Sequence, residues 1–306
     1  MTEGESFGHA PVMVAEVLAH LRPERGGWFF DGTVGGGGHA EALLSASAEV
    51  RLIAVDRDPE ALAAARERLA RFGDRVRWVH ADFAAGAERL EEALTGALLD
   101  LGVSSWQLDR LERGFTFREG APLDMRMGAS GETAADILNH ASQERLADIL
   151  YYYGDEKRSR KFARLIAERR AMRPFERSED LVEVIERVIP RASMQDRARV
   201  FQALRIAVND ELSLLERALP TLRDALVEGG VLVVLTYHSL EDREVKNAFR
   251  EWSRACICPP ELPVCQCRGV PLGETLTRKP LEAGSDELAM NPRARSARLR
   301  AWRKAA

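Results

Sequence analysis

The stretch Asp31-Gly32-Thr33-Val34-Gly35-Gly36-Gly37-Gly38-His39 constrains this chain more than any other. It follows a β-rich run, Trp28-Phe29-Phe30, and opens a helical pattern from about Ala40 to Ala46. Glycines at such a junction let the backbone turn tightly and bring its N–H groups against a ligand, and the start of a helix favours a negative group. The same rhythm continues downstream. A strand at Arg51–Val55 ends at Asp56, an amphipathic helix spans Pro59 to Phe72, a strand spans Val76 to His80, a helix lies around Ala87 to Leu94, and the run Ala97–Leu99 ends at Asp100. Four β-α units in succession predict an α/β fold with an open, doubly wound sheet.

From about residue 107 the β pattern stops. Helical patterns follow at Glu144–Tyr153, Glu156–Ala171, Glu179–Val188 with Ser178 as N-cap, and Gln195–Leu219. This predicts an inserted all-α domain over residues 107–212, with the sheet domain formed by 1–106 and 213–306. The β pattern resumes at Val231–Leu235 after Gly229-Gly230 close the preceding helix, and a helix runs from Leu240 to Trp252. Weaker strands near Glu274–Lys279 and Ala297–Trp302 complete the sheet as a hairpin. No apolar run approaches the roughly 20 residues of a membrane span, and the opening MTEGESFGHA lacks a signal-peptide pattern. The expectation is a cytoplasmic protein without membrane contact, its oligomeric state open and a homodimer among the options.

With 44 Lys+Arg against 48 Asp+Glu the net charge is -4, so nucleic acid must be met by local basic clusters. Two are candidates. The tail carries Arg293, Arg295, Arg298, Arg300, Arg303 and Lys304, with Arg293 and Arg295 facing the same way on an extended strand. The insertion carries Lys157, Arg158, Arg160, Lys161 and Arg164, a set that is ordinarily a solvated helix face.

Asp56, 25 residues beyond Asp31, is placed to accept from the two hydroxyls of a ribose. Gly35, Gly37 and Ala40 satisfy G-x-G-x-x-A, so a nicotinamide dinucleotide stays open. Asp31 and Asp100 favour a ligand with an ammonium and a sulfonium over a pyrophosphate, which points to S-adenosylmethionine. The rivals are an NAD-dependent oxidoreductase, for which no catalytic His or Tyr-Lys pair is found, and a ribosome assembly factor with no catalytic duty. His238 either contacts a substrate base or caps the helix that follows it. All four cysteines fall in Cys256-x-Cys258 and Cys265-x-Cys267. These hold a structural zinc ion or stand as reduced thiols; the sequence assigns no metal.

One further set of motifs is more specific. His9-Ala-Pro-Val-Met with Glu16, the glycine run to His39, Asp56-Arg-Asp-Pro59, Asp100-Leu-Gly-Val-Ser-Ser105 with Gln107-Leu-Asp109, Arg113-Gly-Phe-Thr-Phe117, Pro122-Leu-Asp-Met-Arg-Met127, Phe201-Gln-Ala-Leu-Arg205, His238-Ser-Leu-Glu-Asp-Arg243 and Asn291-Pro-Arg-Ala-Arg-Ser296 closely resemble the bacterial 16S rRNA (cytosine-N4)-methyltransferase family, RsmH or MraW. Trp106 stands where that family often has proline. The resemblance runs from residue 9 to about 300. It implies a class I (Rossmann-like) methyltransferase sheet with an inserted helical substrate-recognition domain, S-adenosylmethionine as methyl donor, and a cytidine of the decoding region of 16S rRNA, in the small ribosomal subunit, as acceptor. It also implies cofactor contacts at Gly37, Gly38, His39, Asp56, Phe83, Asp100 and Gln107. For the chemistry, Asp100 is expected to accept a hydrogen bond from the N4 amino group, with Ser104 in the Gly102–Ser105 loop beside the substrate and Arg293 and Arg295 on its phosphates. The target base must be unstacked to reach such a pocket.

Overall fold

The computed structural model describes residues 11–104, 107–108, 110–259, 264 and 266–306. His9, Ser105, Trp106, Asp109 and Cys265, all named above, lie outside the described residues. The strands are β1 (Gly27–Asp31), β2 (Val50–Asp56), β3 (Val76–His80), β4 (Leu94–Asp100), β5 (Leu226–Thr236), β6 (Gly273–Thr275) and β7 (Arg298–Lys304). The helices are α1 (Val14–Leu21), α2 (Gly38–Ala46), α3 (Pro59–Arg68), α4 (Phe83–Ala87), α5 (Ala134–His140), α6 (Gln143–Tyr152), α7 (Ser159–Met172), α8 (Ser178–Val188), α9 (Met194–Asn209), α10 (Glu211–Ala225), α11 (Ser239–Trp252) and α12 (Ser285–Met290).

The chain divides into two compact units: Met1–Gly102 with Leu212–Ala306, and Val103–Glu211. In the first unit the strands form one sheet in the order β3-β2-β1-β4-β5-β7-β6. Strands β1 to β5 pair in parallel and β7 runs antiparallel to both β5 and β6. This is the Rossmann-like, doubly wound arrangement. Alternation along each strand sorts the core between the two faces. Phe29, Leu52, Ala54, Leu98, Val231, Val233 and Leu235 join one apolar cluster with residues of α1, α2 and α3. Their neighbours Phe30, Ile53, Val55, Ala97, Leu99, Leu232 and Val234 join the other with residues of α4, α10 and α11. The second unit packs its helices around its own cluster, which includes Leu146, Phe162, Ile166, Phe175, Leu181, Val184 and Phe201. Among the described residues no helix is long and apolar enough to cross a membrane.

Several expected elements take other bounds. The helix expected at Ala87–Leu94 is α4, further upstream, because Asp82 accepts from the Ala85 N–H and caps it there; Leu94 already opens β4. The expected helix Pro59–Phe72 ends at Arg68, and a 3-10 turn over Ala70–Arg75 bends at Gly73 with φ 56. Gln195–Leu219 is two helices, interrupted at Asp210 with φ 52. Gly229 and Gly230 sit inside β5, where the β4–β5 register shifts between Leu94 and Gly96, so the glycines serve an irregularity in the strand and not a helix end. Arg177, not Ser178, is the N-cap of α8; the Ser178 hydroxyl donates to Arg118 O at 2.5 Å.

Candidate functional site

The site follows from strand length. Asp31 ends β1 opposite Ala54 and Leu98, and β2 and β4 each run two residues further, to Asp56 and Asp100. Because side chains alternate with period two, Asp31 shares a face with Phe29, Asp56 with Ala54, and Asp100 with Leu98. All three carboxylates therefore belong to the face covered by α1, α2 and α3. Leu235 pairs with Asp100, and two residues beyond Leu235 comes Tyr237, packed against the same cluster.

Burial sets their electrostatics. It pushes Asp31 up to about 8, with the charges of Asp100 and Asp56 adding to the rise and the Thr33 N–H opposing it. Burial likewise pushes Asp56 up to about 6, against the N–H groups of Asp58 and Gly35. Asp100 is raised by burial and pulled back by His39 and by the Tyr237 hydroxyl. Among the described residues no Arg or Lys forms an ion pair with any of the three. An acid cluster that no Arg or Lys neutralises is matched by a positively charged ligand.

The glycine loop is turned inward. Amides of Gly32, Thr33, Val34, Gly35 and Gly37 donate to Leu98 O, Asp31 Oδ1, Val55 O, Asp56 Oδ2 and Val34 O. Gly35 (φ 52) and Gly37 (φ 81) occupy the left-handed region that the turn requires. These five donors are already engaged within the protein and are not offered to a pyrophosphate. Backbone donors hold Asp56, among them Gly35 N–H at 2.8 Å and Asp58 N–H at 2.9 Å, with the Arg57 amide contributing as well. With about four acceptor positions, the carboxylate keeps room for a hydroxyl ligand.

His39, near the start of α2, is buried, and its Nε2 lies 2.8 Å from Val12 O. A carbonyl only accepts, so Nε2 carries the hydrogen. His39 Nδ1 lies 3.6 Å from Asp100 Oδ2, and a quarter of the Asp100 side chain, 25%, is exposed. Asp100 Oδ1 accepts from the Tyr237 hydroxyl at 2.8 Å, and the Asp100 N–H donates to Thr33 Oγ1 at 2.7 Å. Burial and the Asp100 charge hold the Tyr237 phenol well above its ordinary value, so it stays a donor. Tyr237 escaped the sequence reading; its signal was an aromatic residue at even spacing from the inward-facing positions of β5.

The remaining candidates divide. Gly37 is the N-cap of α2 and Gly38 its first residue, where a Cβ would meet Pro11 at 2.9 Å. Phe83 opens α4, half-buried against the opposite apolar cluster. Ser104 and Gln107 belong to the second unit: Ser104 N–H donates to Gln107 Oε1 at 3.1 Å and Gln107 N–H to Ser104 Oγ at 3.2 Å. His238 caps α11, accepting from the Glu241 N–H, which is the structural one of its two expected roles. Arg293 and Arg295 are exposed but lie in a 3-10 turn, Pro292–Ser296, and not on a strand, because Asn291 accepts from the Arg293 N–H and Pro292 starts the turn. Arg300 does not face solvent: it is buried and donates to both oxygens of Asp242 at 2.7 and 3.1 Å. Arg303 pairs with Glu274, and Lys304 donates to the carbonyls of Asp224 and Leu226.

The Ribosomal RNA small subunit methyltransferase H of Gemmatimonas aurantiaca is 53% identical over 304 residues, covering 97% of this chain and 95% of that protein. The protein of the same description from Heliobacterium modesticaldum is 50% identical over 309 residues, covering 97% and 99%. An rRNA methylase structure from Streptococcus thermophilus aligns with a TM-score of 0.43 at 10% identity, covering 94% of this chain and 95% of its own. The model of the MraW methylase family matches residues 6–305, and the chain belongs to that family.

Proposed function

We propose that this chain transfers a methyl group from S-adenosylmethionine to the exocyclic N4 of a cytidine in the decoding region of 16S rRNA, in the small ribosomal subunit. The carrying observation is the acid cluster of Asp31, Asp56 and Asp100, raised by burial and, among the described residues, ion-paired with no Arg or Lys; His39 stands beside Asp100 alone of the three. It fits a ligand with two positive centres. S-adenosylmethionine bound there supplies an electrophilic methyl on a sulfonium.

Asp56 holds the ribose hydroxyls, its carboxylate fixed by Gly35 and Asp58. Phe83 lies beside the adenine. Gly37, Gly38 and His39 complete the cofactor contacts of this unit. Asp100 accepts a hydrogen bond from N4–H, which localises the nitrogen lone pair for in-line attack and stabilises the positive charge that develops on the amine. Holding nitrogen and methyl in line at contact distance contributes on the order of 7 kcal/mol to lowering the barrier. Tyr237 and His39 orient the Asp100 carboxylate. His39, with Nε2 committed to Val12 O, sets Nδ1 3.6 Å from Asp100 Oδ2.

The helical unit is the substrate-recognition part. Tyr151 and Tyr152 are 55% and 64% exposed and meet edge to face, at the end of α6. Lys157, Arg160, Lys161 and Arg164 follow within the same unit and are exposed. Exposed rings stack on unpaired bases and the cations meet phosphates. Ser104, Arg293 and Arg295 contribute further substrate contacts.

The test is transfer of labelled methyl to small subunits, followed by nucleoside mass analysis. Label in N4-methylcytidine supports the reading; label in another nucleoside, or in none, overturns it. For Asp100→Ala, a single-turnover rate that stays at the wild-type value under saturating cofactor removes Asp100 from the chemistry.

A further inference from the structure

The segment joining α11 to β6 lacks the apolar packing found elsewhere in its unit. From Arg254 to Pro271 none of the described residues is buried, and Ile257, Val264 and Val270 stand exposed. A segment of this kind needs another means of holding its shape. What converges there is sulfur. The Sγ atoms of Cys256, Cys258 and Cys267 all lie within 4.8 Å of one another, and those of Cys256 and Cys267 are 3.8 Å apart. A tetrahedral zinc site with Zn–S bonds of about 2.3 Å has sulfur–sulfur edges of about 3.8 Å.

The backbone is arranged around these atoms. Ile257 N–H, next to Cys256, points at Cys267 Sγ at 3.3 Å, and Gln266 N–H, next to Cys267, points at Cys258 Sγ at 3.4 Å. Each arm of the segment thus aims an amide at a sulfur of the other. Such donors offset the negative charge that sulfur carries as a metal ligand, as the groups behind the ligands of a metal centre generally do. The ends of the segment are fixed independently: Arg268 donates to Glu251 O and Arg254 O, and Leu272 N–H donates to Trp252 O.

We propose that Cys256, Cys258 and Cys267 bind one zinc ion, which takes the place of an apolar core in this segment. Three convergent thiolates select a soft or borderline ion over magnesium, calcium or manganese. Cys265 lies outside the described residues and is not part of the proposal. The zinc holds the segment and takes no part in methyl transfer.

The test uses the full chain, purified under reducing conditions, loaded with zinc chloride and freed of excess. Elemental analysis is expected to find one zinc per chain, and cobalt(II) in its place is expected to give intense thiolate-to-metal absorption in the near ultraviolet. Cys258→Ser and the double variant Cys256→Ser/Cys267→Ser are expected to lose the zinc while binding S-adenosylmethionine and melting near the wild type, and limited proteolysis is expected to cut them first between Arg254 and Pro271. The wild-type cobalt spectrum needs no variant, so a misfolded variant does not decide the matter. Reduced wild type that retains no zinc, a cobalt spectrum without thiolate absorption, iron with acid-labile sulfide in place of zinc, or variants that keep the full zinc content each overturn the proposal.

Discussion

The Tyr237 hydroxyl donates to Asp100 Oδ1 at 2.8 Å, so the residue that extends one central strand fixes the carboxylate that ends its neighbour. Tyr237→Phe keeps the ring packed and deletes this bond. The bond favours the charged carboxylate, so its loss raises the Asp100 pKa further. The turnover rate is expected to fall about tenfold, near 1.4 kcal/mol of barrier, and the rising limb of its pH profile to move to higher pH, with cofactor affinity nearly unchanged. A pH–rate series on both proteins checks this, and an unmoved profile contradicts the role given to Tyr237.

Cofactor affinity should depend on pH in a definite sense. Asp56 is raised to about 6 and Asp31 to about 8 by burial, so part of this pair is protonated at neutral pH. A cation in the cleft stabilises the charged forms and expels protons. Affinity for S-adenosylmethionine is therefore expected to tighten as pH rises from about 6 to about 8, with proton release visible by calorimetry in buffers of different ionisation enthalpy. S-adenosylhomocysteine, which has no sulfonium, should release fewer protons.

Asp31→Asn separates stability from binding. A carboxyl whose folded pKa is raised holds a proton that the unfolded chain has already lost, so stability falls as pH rises from the ordinary 3.8 through about 8. Asparagine keeps an acceptor for the Thr33 N–H and carries no such penalty. The ligand-free variant is expected to melt about 3 °C or more above the wild type at pH 8 and level with it below pH 4, while its affinity for S-adenosylmethionine drops roughly tenfold. A thermal melt at the two pH values, with a binding titration, is sufficient.

How far the sequence was legible depended on the range of the forces involved. Strand ends at Asp31, Asp56 and Asp100 were readable because an acid at the end of an apolar run is a local signal. Periodicity located α6, α7 and α8, whereas α5 was missed and α9 and α10 were read as one helix. The pairing of Tyr237 with Asp100 was not, since it depends on the register of β4 on β5 across 137 positions of sequence. Nor was the direction of the Gly35 amide, which points at Asp56. Arg300 looked like its neighbours in the tail until the strand placed it beside Asp242.

Arg300 provides a test of that last point. Arg300→Ala leaves the Asp242 carboxylate buried with Arg298, at 3.6 Å, as its remaining ion-pair partner among the described residues. Removing one partner of a buried pair costs about 3–5 kcal/mol, and the loss should appear as a large drop in melting temperature. Where the variant remains folded, its rRNA affinity and salt dependence should match the wild type, whereas Arg293→Ala/Arg295→Ala weakens binding and flattens the salt slope.

The helical surface can be tested separately. Tyr151→Ala/Tyr152→Ala removes two exposed rings and should leave the melting temperature within a degree or so of the wild type. Affinity for an rRNA fragment is expected to fall by about tenfold or more, with cofactor binding unaffected. Fluorescence anisotropy with a labelled fragment reads the first, and a cofactor titration the second.

Leu101 N–H bonds Leu235 O, so β4 and β5 stay in step to their last residues although everything from Val103 to Glu211 is threaded between them. Bringing such distant partners together carries a loop-closure cost that grows with the length of free chain. Early collapse of the intervening helices onto Phe162, Phe175 and Phe201 shortens that free chain. Helix signal is therefore expected to return before the two middle strands close, with binding of the methyl donor recovered last, an order that stopped-flow refolding read by both signals checks.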